Sequence, residues 1–330
     1  MGGQKSLGRA TFFSTFVLNI LHLEQGVILK STGSNYKVLS DEDIVINCSV
    51  KGKLRIKTLR TTNPIAVGDN VLFEIDKKSN SGVITEVLDR KNYILRKATN
   101  LSKHSQIIAA NVDQAFLMIT IIHPETQVEF IDRFLMAAEA YRIPAKIIIN
   151  KTDLYGKGEL ETMDYLERMY TKIGYECIKL SLIDKPDIET LKLLMKGKIS
   201  LISGNSGVGK TSLLNVLNPL LNLKTTKISD YHKQGKHATT FPEMHKMQFG
   251  GKVIDTPGIR GFGVVDMDRN EIYHFFREIF SKSKDCRFNN CLHLDEPDCA
   301  VIASVKKGEI DFLRYKSYLN IMEGDERKYR

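Results

Sequence analysis

Gly204-Asn205-Ser206-Gly207-Val208-Gly209-Lys210-Thr211 matches the phosphate-cradling pattern G-x-x-x-x-G-K-S/T. Glycines at these spacings let backbone N–H groups turn toward a phosphate, and the following helix N-terminus adds partial positive charge. Lys210 would reach the β- and γ-phosphates. Thr211 would offer its hydroxyl to Mg²⁺, and Ser212 continues the same phosphate site. The apolar run 199–203 reads as a strand entering the loop and 212–217 as a helix leaving it, as this motif requires. A second cluster, Asn150-Lys151-Thr152-Asp153, follows the apolar run 145–149. A carboxylate at a strand end can accept from both N1–H and the exocyclic amine of guanine, a donor pair that adenine lacks, so Asp153 selects GTP. Asn150 would tie this loop to the phosphate loop, and the stem of Lys151 would cover the base. Ser181, after the run 175–180, stands where a contact to the guanine edge is expected. In the third cluster, Asp255-Thr256-Pro257-Gly258, Asp255 would hold Mg²⁺ through water and the Gly258 N–H would contact the γ-phosphate.

The order of the clusters is unusual. GTPases ordinarily run phosphate loop, D-x-x-G, N-K-x-D; here N-K-T-D comes first and D-T-P-G last. One parallel sheet can carry either order if the chain is cut elsewhere and the old ends are joined. A circularly permuted P-loop GTPase domain is therefore expected, with the region C-terminal to Asp255 attached directly to a γ-phosphate-sensing segment.

These clusters fill only the middle of a 330-residue chain with net charge +9, a balance that favours polyanionic partners. Five short β-rich runs between residues 24 and 97 suggest a small closed barrel, an OB-fold. Within it Lys51, Lys53, Arg55 and Lys57 alternate with other residues, so all four share one face of a strand. Such a row fits a phosphate backbone, or alternatively an edge strand that discourages aggregation. Residues 96–106 read as a linker, 114–121 as a central parallel strand apolar on both faces, and 130–141 as an amphipathic helix. Near the C-terminus Cys286, Cys291, His293 and Cys299 form a C-x4-C-x-H-x5-C pattern, the ligand set of a closed, structural zinc site. A single helix is expected over 305–322. No run approaches the roughly 20 apolar residues of a membrane span, so no membrane partner is expected. The apolar stretch 10–23 reads as a poorly ordered extension. The expected divisions are thus 1–23, a barrel at 24–97, a GTPase domain at 98–275 and a zinc-binding, helix-containing segment at 276–330.

Barrel, permuted GTPase domain and zinc segment together resemble the bacterial RsgA/YjeQ family of GTPases dependent on the small ribosomal subunit. The resemblance runs from about residue 24 to 322 and is sharpened by Gly235-Lys236-His237-Ala238-Thr239-Thr240. The family pattern there is G-R/K-H-T-T-T; Ala238 replaces the first threonine, which leaves open whether Thr239 or Thr240 contacts Mg²⁺ and the γ-phosphate. The resemblance implies a cytoplasmic, monomeric GTPase acting late in small-subunit (30S) maturation, with rRNA and GTP/GDP as partners and Zn²⁺ and Mg²⁺ as cofactors. It also implies slow intrinsic hydrolysis that rises on the subunit. Ile259 stands where Ras-like enzymes place a water-orienting glutamine, so His237 is the candidate catalytic residue. A GTP-gated RNA-binding module whose hydrolysis is incidental is the alternative.

Overall fold

Strands that alternate apolar and polar residues must close on themselves or pack against something, and the first five do the former. The computed structural model describes residues 23–50, 65–76, 81–96, 106–183, 188–224, 242–255 and 267–324. The first five strands are β1 (Leu23–Ser31), β2 (Tyr36–Ser40), β3 (Val45–Val50), β4 (Asn70–Asp76) and β5 (Ser81–Val87). They pair in the order β1-β2-β3-β5-β4, and β4 returns to β1. Only β3–β5 is parallel. This closed five-stranded arrangement is an OB-type barrel. In β3, Ile46 and Cys48 point inward while Val45, Asn47 and Ser49 point out; Ile28, Val38, Val71, Phe73 and Ile84 fill the interior with them. The cationic row at 51–57 and the extension at 1–22 lie outside the described residues.

The expected linker is flanked by paired strands. β6 (Tyr93–Arg96) and β7 (Gln106–Ala110) form an antiparallel ribbon between barrel and G domain. The G domain follows with β8 (Gln114–Ile119), β9 (Ala145–Asn150), β10 (Glu176–Leu180), β11 (Ile199–Gly204), β12 (Glu243–Lys246) and β13 (Lys252–Asp255). Their spatial order is β10-β9-β8-β11-β13-β12, parallel except for β12. Successive side chains of a strand face opposite sides, and β8 shows the consequence. Ala115, Leu117 and Ile119 join a core with α1 (Val128–Ala140) and α2 (Lys157–Lys172), whereas Phe116 and Met118 join one with α3 (Ile188–Met195) and α4 (Lys210–Leu217). β8 is apolar on both faces because helices cover both.

β12 also pairs with β1, Lys30 opposite Glu243, so the barrel and the G sheet form one continuous eleven-stranded sheet. The Lys30 ammonium lies 2.7 Å from the Glu243 carboxylate, and Lys246 pairs with Asp43 beside it.

The C-terminal segment contains α5 (Arg277–Ser283), α6 (Ala300–Lys306) and α7 (Phe312–Glu323). The single helix expected over 305–322 is two. Gly308 adopts φ +73 after α6, and the Asp311 carboxylate accepts from the Leu313 N–H to start α7 anew. α7 docks on α1 through a buried charge. Arg314, 1% exposed, bonds Asp132 of α1 at 2.6 Å and Glu278 of α5 at 2.7 Å, and the Tyr170 hydroxyl donates to the same Asp132 oxygen. Burial pushes the Asp132 carboxyl up while Arg314 pulls it back down. Removing one partner of such a buried pair strands the other's charge. Arg314→Met should therefore destabilise the fold by about 3–5 kcal/mol, measured by urea denaturation; a loss under ~1 kcal/mol would mean that water reaches Asp132.

Candidate nucleotide site and metal centre

All three nucleotide clusters end parallel strands of one sheet, on the same edge: Asn150 closes β9, Gly204 closes β11 and Asp255 closes β13. Ligands of open parallel sheets sit outside the carboxyl ends of the strands, where neighbouring connections diverge.

The phosphate loop turns sharply between β11 and α4. Gly204 (φ +149) and Gly209 (φ +105) occupy backbone conformations that L side chains rarely adopt, and neither site has space for a side chain. A Cβ on Gly209 would fall 2.5 Å from the Asn150 amide nitrogen, and one on Gly204 2.3 Å from the Met118 carbonyl oxygen. Asn205 and Ser206 lie in the turn, Val208 is buried beneath it, and Thr211 and Ser212 are half-buried in the first turn of α4. The Lys210 ammonium donates to the carbonyls of Gly204 and Asn205, each at 2.8 Å. Burial lowers its pKa to about 8, with Asp255 opposing the shift. Burial likewise pushes the Asp255 carboxyl up, and Lys210 and His245 pull it back. Each thus feels the other's charge at the phosphate-loop end of the sheet, while the ammonium itself is bonded to the loop carbonyls.

The Asn150–Asp153 cluster is fastened to the phosphate loop. The Asn150 amide donates to the Val208 carbonyl at 2.8 Å, 58 residues away in sequence. Its own Oδ1 is buried without a partner. Lys151 adopts φ +64, which lifts its side chain off the strand end, and its ammonium donates to the His123 carbonyl. Thr152 and Asp153 form a single 3-10 turn, Thr152–Leu154. The Ser181 hydroxyl donates to one Asp153 oxygen at 2.7 Å, so the structure brings Ser181 to the carboxylate itself. Gly258, His237, Thr239 and Thr240 lie outside the described residues.

The four C-terminal residues meet. Three thiols and one imidazole nitrogen lie within 4.8 Å of one another, all but Cys286 buried. A tetrahedral zinc with Zn–S of ~2.3 Å and Zn–N of ~2.0–2.1 Å sets S···S near 3.8 Å and S···N near 3.6 Å. Cys286 and Cys299 sulfurs are 3.9 Å apart, and the His293 Nδ1 lies 3.6 Å from the first and 3.5 Å from the second. The donor set and its spacing fit one tetrahedral ion and leave no open position. The loop is also braced by groups with no motif signal. Glu296 accepts from the Leu292 and Leu294 N–H groups, and the hydroxyls of Tyr315 and Tyr318 bond the His293 and Leu292 carbonyls. Burial opposes ionisation of Glu296, but the N–H bonds prevail and hold its pKa below the ordinary value. An acidic residue three before Cys299, with tyrosines spaced i, i+3 on the last helix, was the available sequence signal.

The RsgA GTPase family model matches residues 87–265, and the RsgA N-terminal domain model matches residues 25–84. The small ribosomal subunit biogenesis GTPase RsgA of Christiangramia forsetii is 50% identical over 308 residues, spanning 93% of this chain and 98% of that protein. The protein of that description from Phocaeicola vulgatus is 50% identical over 307 residues, 93% of this chain and 99% of its own. Among solved structures, YjeQ from Thermotoga maritima superposes with a TM-score of 0.74 at 36% identity, covering 92% of this chain and 98% of that one. YloQ, described as a circularly permuted GTPase, gives 0.70 at 30% identity, covering 93% and 96%. With sheet order, motif order and sequence all in agreement, the chain belongs to the RsgA family of circularly permuted GTPases.

Proposed function

We propose that this protein hydrolyses GTP during late maturation of the small ribosomal subunit, binding the subunit in its GTP state and leaving after hydrolysis. The observation that carries this reading is the coupling of base loop to phosphate loop through Asn150 and Val208, in a chain half identical to proteins named for that role. Asp153, steadied by Ser181, reads the guanine edge, and Asn150 and Lys151 frame the base. Residues 204–212 hold the phosphates, with Lys210 moving from loop carbonyls to the β- and γ-oxygens. The half-buried Asp255 carboxylate and the Thr211 hydroxyl suit a hard cation. Mg²⁺ held there would neutralise charge on the β- and γ-phosphates. Gly258 and one of Thr239 and Thr240 would sense the γ-phosphate. One zinc per chain at Cys286, Cys291, His293 and Cys299 would staple the C-terminal segment. Lys51, Lys53, Arg55 and Lys57 would face rRNA phosphates, so neutralising them should flatten the salt dependence of subunit binding. We assign the barrel to 24–97, the GTPase domain to 98–275 and the metal-binding segment to 276–330.

His237 is the group proposed to orient the attacking water, since Ile259 has no polar atom to do so. The test is a GTPase assay with purified small or large subunits added separately. Hydrolysis should rise with small subunits alone. His237→Ala should bind GTP and subunits almost normally yet lose about 10²-fold or more of the stimulated rate. Full stimulated turnover in that variant would remove His237 from the chemistry, and no response to small subunits would favour a GTP-gated binding module.

A further inference from the structure

In the sheet, β8 lies between β9, which carries the base loop, and β11, which carries the phosphate loop. The segment leaving β8, residues 120–126, therefore emerges between the two, although it carries no recognised nucleotide motif. It is folded tightly on itself. The Thr126 N–H donates to the Thr120 carbonyl at 3.0 Å, the Thr120 N–H donates to the Thr126 hydroxyl at 3.2 Å, and the Thr120 hydroxyl donates to the Pro124 carbonyl at 2.5 Å. It touches both neighbours. The His123 carbonyl takes the Lys151 ammonium, and Pro124 stands against the phosphate loop, where a Cβ built on Gly207 would lie 3.5 Å from its Cδ.

One side chain joins this segment to the base loop. Tyr155, 9% exposed, donates its hydroxyl to the Asn150 carbonyl at 2.5 Å and accepts the Ile121 N–H at 2.9 Å. That single oxygen bridges the last residue of β9 to the start of the 120–126 loop. Asn150 in turn holds Val208 of the phosphate loop through its side chain. Tyr155, 120–126, 150–153 and 204–209 thus make a closed ring of contacts around the place where base and phosphates meet.

We infer that the 120–126 loop is a fourth wall of the guanine-nucleotide site and that Tyr155 is a positioning residue, acting through the Asn150 carbonyl and the Ile121 amide to set nucleotide affinity. The inference rests on the GTP-binding reading given above. Burial raises the Tyr155 pKa, so the hydroxyl remains a donor throughout the neutral range. Phenylalanine would keep the ring's packing while stranding the Ile121 N–H and the Asn150 carbonyl, which separates positioning from core filling.

The experiment uses the full chain with Tyr155→Phe and measures equilibrium binding and dissociation of fluorescent GDP and ADP, steady-state GTP hydrolysis, and nucleotide-free melting. GDP affinity should fall about 5- to 30-fold, the range expected when a buried polar group loses its partner. The loss should come mainly through faster dissociation, with KM raised and kcat at saturating GTP within about twofold of wild type. Thr126→Val, which leaves Tyr155 intact but removes the hydroxyl that accepts the Thr120 N–H, should shift GDP affinity in the same direction. It serves as the deciding variant should Tyr155→Phe fold poorly. Wild-type GDP affinity in both variants would overturn this inference alone, as would a fall in kcat with GDP affinity unchanged. A wild-type protein that binds ADP as well as GDP would overturn the guanine reading and this inference with it.

Discussion

Removal of the metal ion with a chelator, or Cys291→Ala, is expected to unfold residues 267–324 while leaving GDP binding largely in place. The segment is small. Its core centres on Phe276, Ile279, Val301 and Tyr318, and two of its buried members, Cys291 and Cys299, are themselves ligands. Structural zinc contributes on the order of 10–16 kcal/mol to small domains of this kind. Burial also pushes the Cys291 thiol up to about 12, so without a cation the loop must hold neutral thiols close-packed. The nucleotide clusters lie at strand ends of the G sheet, and none of their side-chain bonds described above reaches the cysteine loop. Hydrogen exchange should show protection lost over 277–323 and retained over β8, β9 and β11. Protein purified without added metal should carry one zinc per chain. A preparation free of zinc and of any substitute metal, yet fully protected there, would overturn the metal assignment.

Asp153→Asn should exchange the preferred nucleotide from GTP to xanthosine triphosphate. The Ser181 hydroxyl donates to one oxygen of Asp153, and an asparagine carbonyl can accept that same bond. The geometry is thereby preserved, with the new amide N–H groups facing the base. Guanine's exocyclic amine then meets a donor, whereas xanthine's O2 meets its complement. A site built to pair with a polar edge rejects a base lacking it by up to about 10⁴–10⁵-fold. Asp153 is exposed in this structure, so a smaller ratio, on the order of 10²–10³, is expected from a partly wet site. Competition binding with both nucleotides reads the ratio directly, and an unchanged preference for GTP would remove Asp153 from base recognition.

Much of the architecture was legible because chain direction and residue type were constrained locally. The phosphate loop announces itself through glycines that no other residue can replace at φ +105 and +149. The barrel strands show period-two burial within runs of a few residues, as in β3. What escaped depends on distant partners or on short elements. β12 is four residues long, EMHK, and its sequence has no strand signature; it is a strand because β13 and β1 flank it. β6 and β7, which flank the expected linker, do not read as strands because their pairing crosses a gap in the sequence. Arg314 belongs to a helix of mixed polar and apolar residues and gives no sign of burial, since Asp132 lies 182 residues earlier. Tyr155 reads as an ordinary tyrosine after a turn; only the fold brings Ile121 to its hydroxyl. The helix break at Gly308, followed three residues on by Asp311, left a signal in the sequence that the expectation of one helix over 305–322 passes over.

The joint between barrel and G sheet has a thermodynamic corollary. Among the described residues its β1–β12 ladder has one register pair, Lys30 opposite Glu243, whereas β1–β4 has five and β12–β13 four. The joint does not rest on that rung alone: Val27, Leu39 and Val67 of the barrel share a buried core with Met244 and Ile254 of the G sheet, the Asn111 amide donates to the Gly68 carbonyl, and Lys246 pairs with Asp43. Glu243 sits opposite Asp255, so this joint stands one strand from the carboxylate proposed to serve the Mg²⁺ site. Linkage then fixes a symmetry that needs no knowledge of the path between the sites. If replacing GDP by GTP favours one barrel orientation by some factor, a partner that clamps the barrel in that orientation must favour GTP over GDP by the same factor. Measured in either direction, the two numbers have to agree.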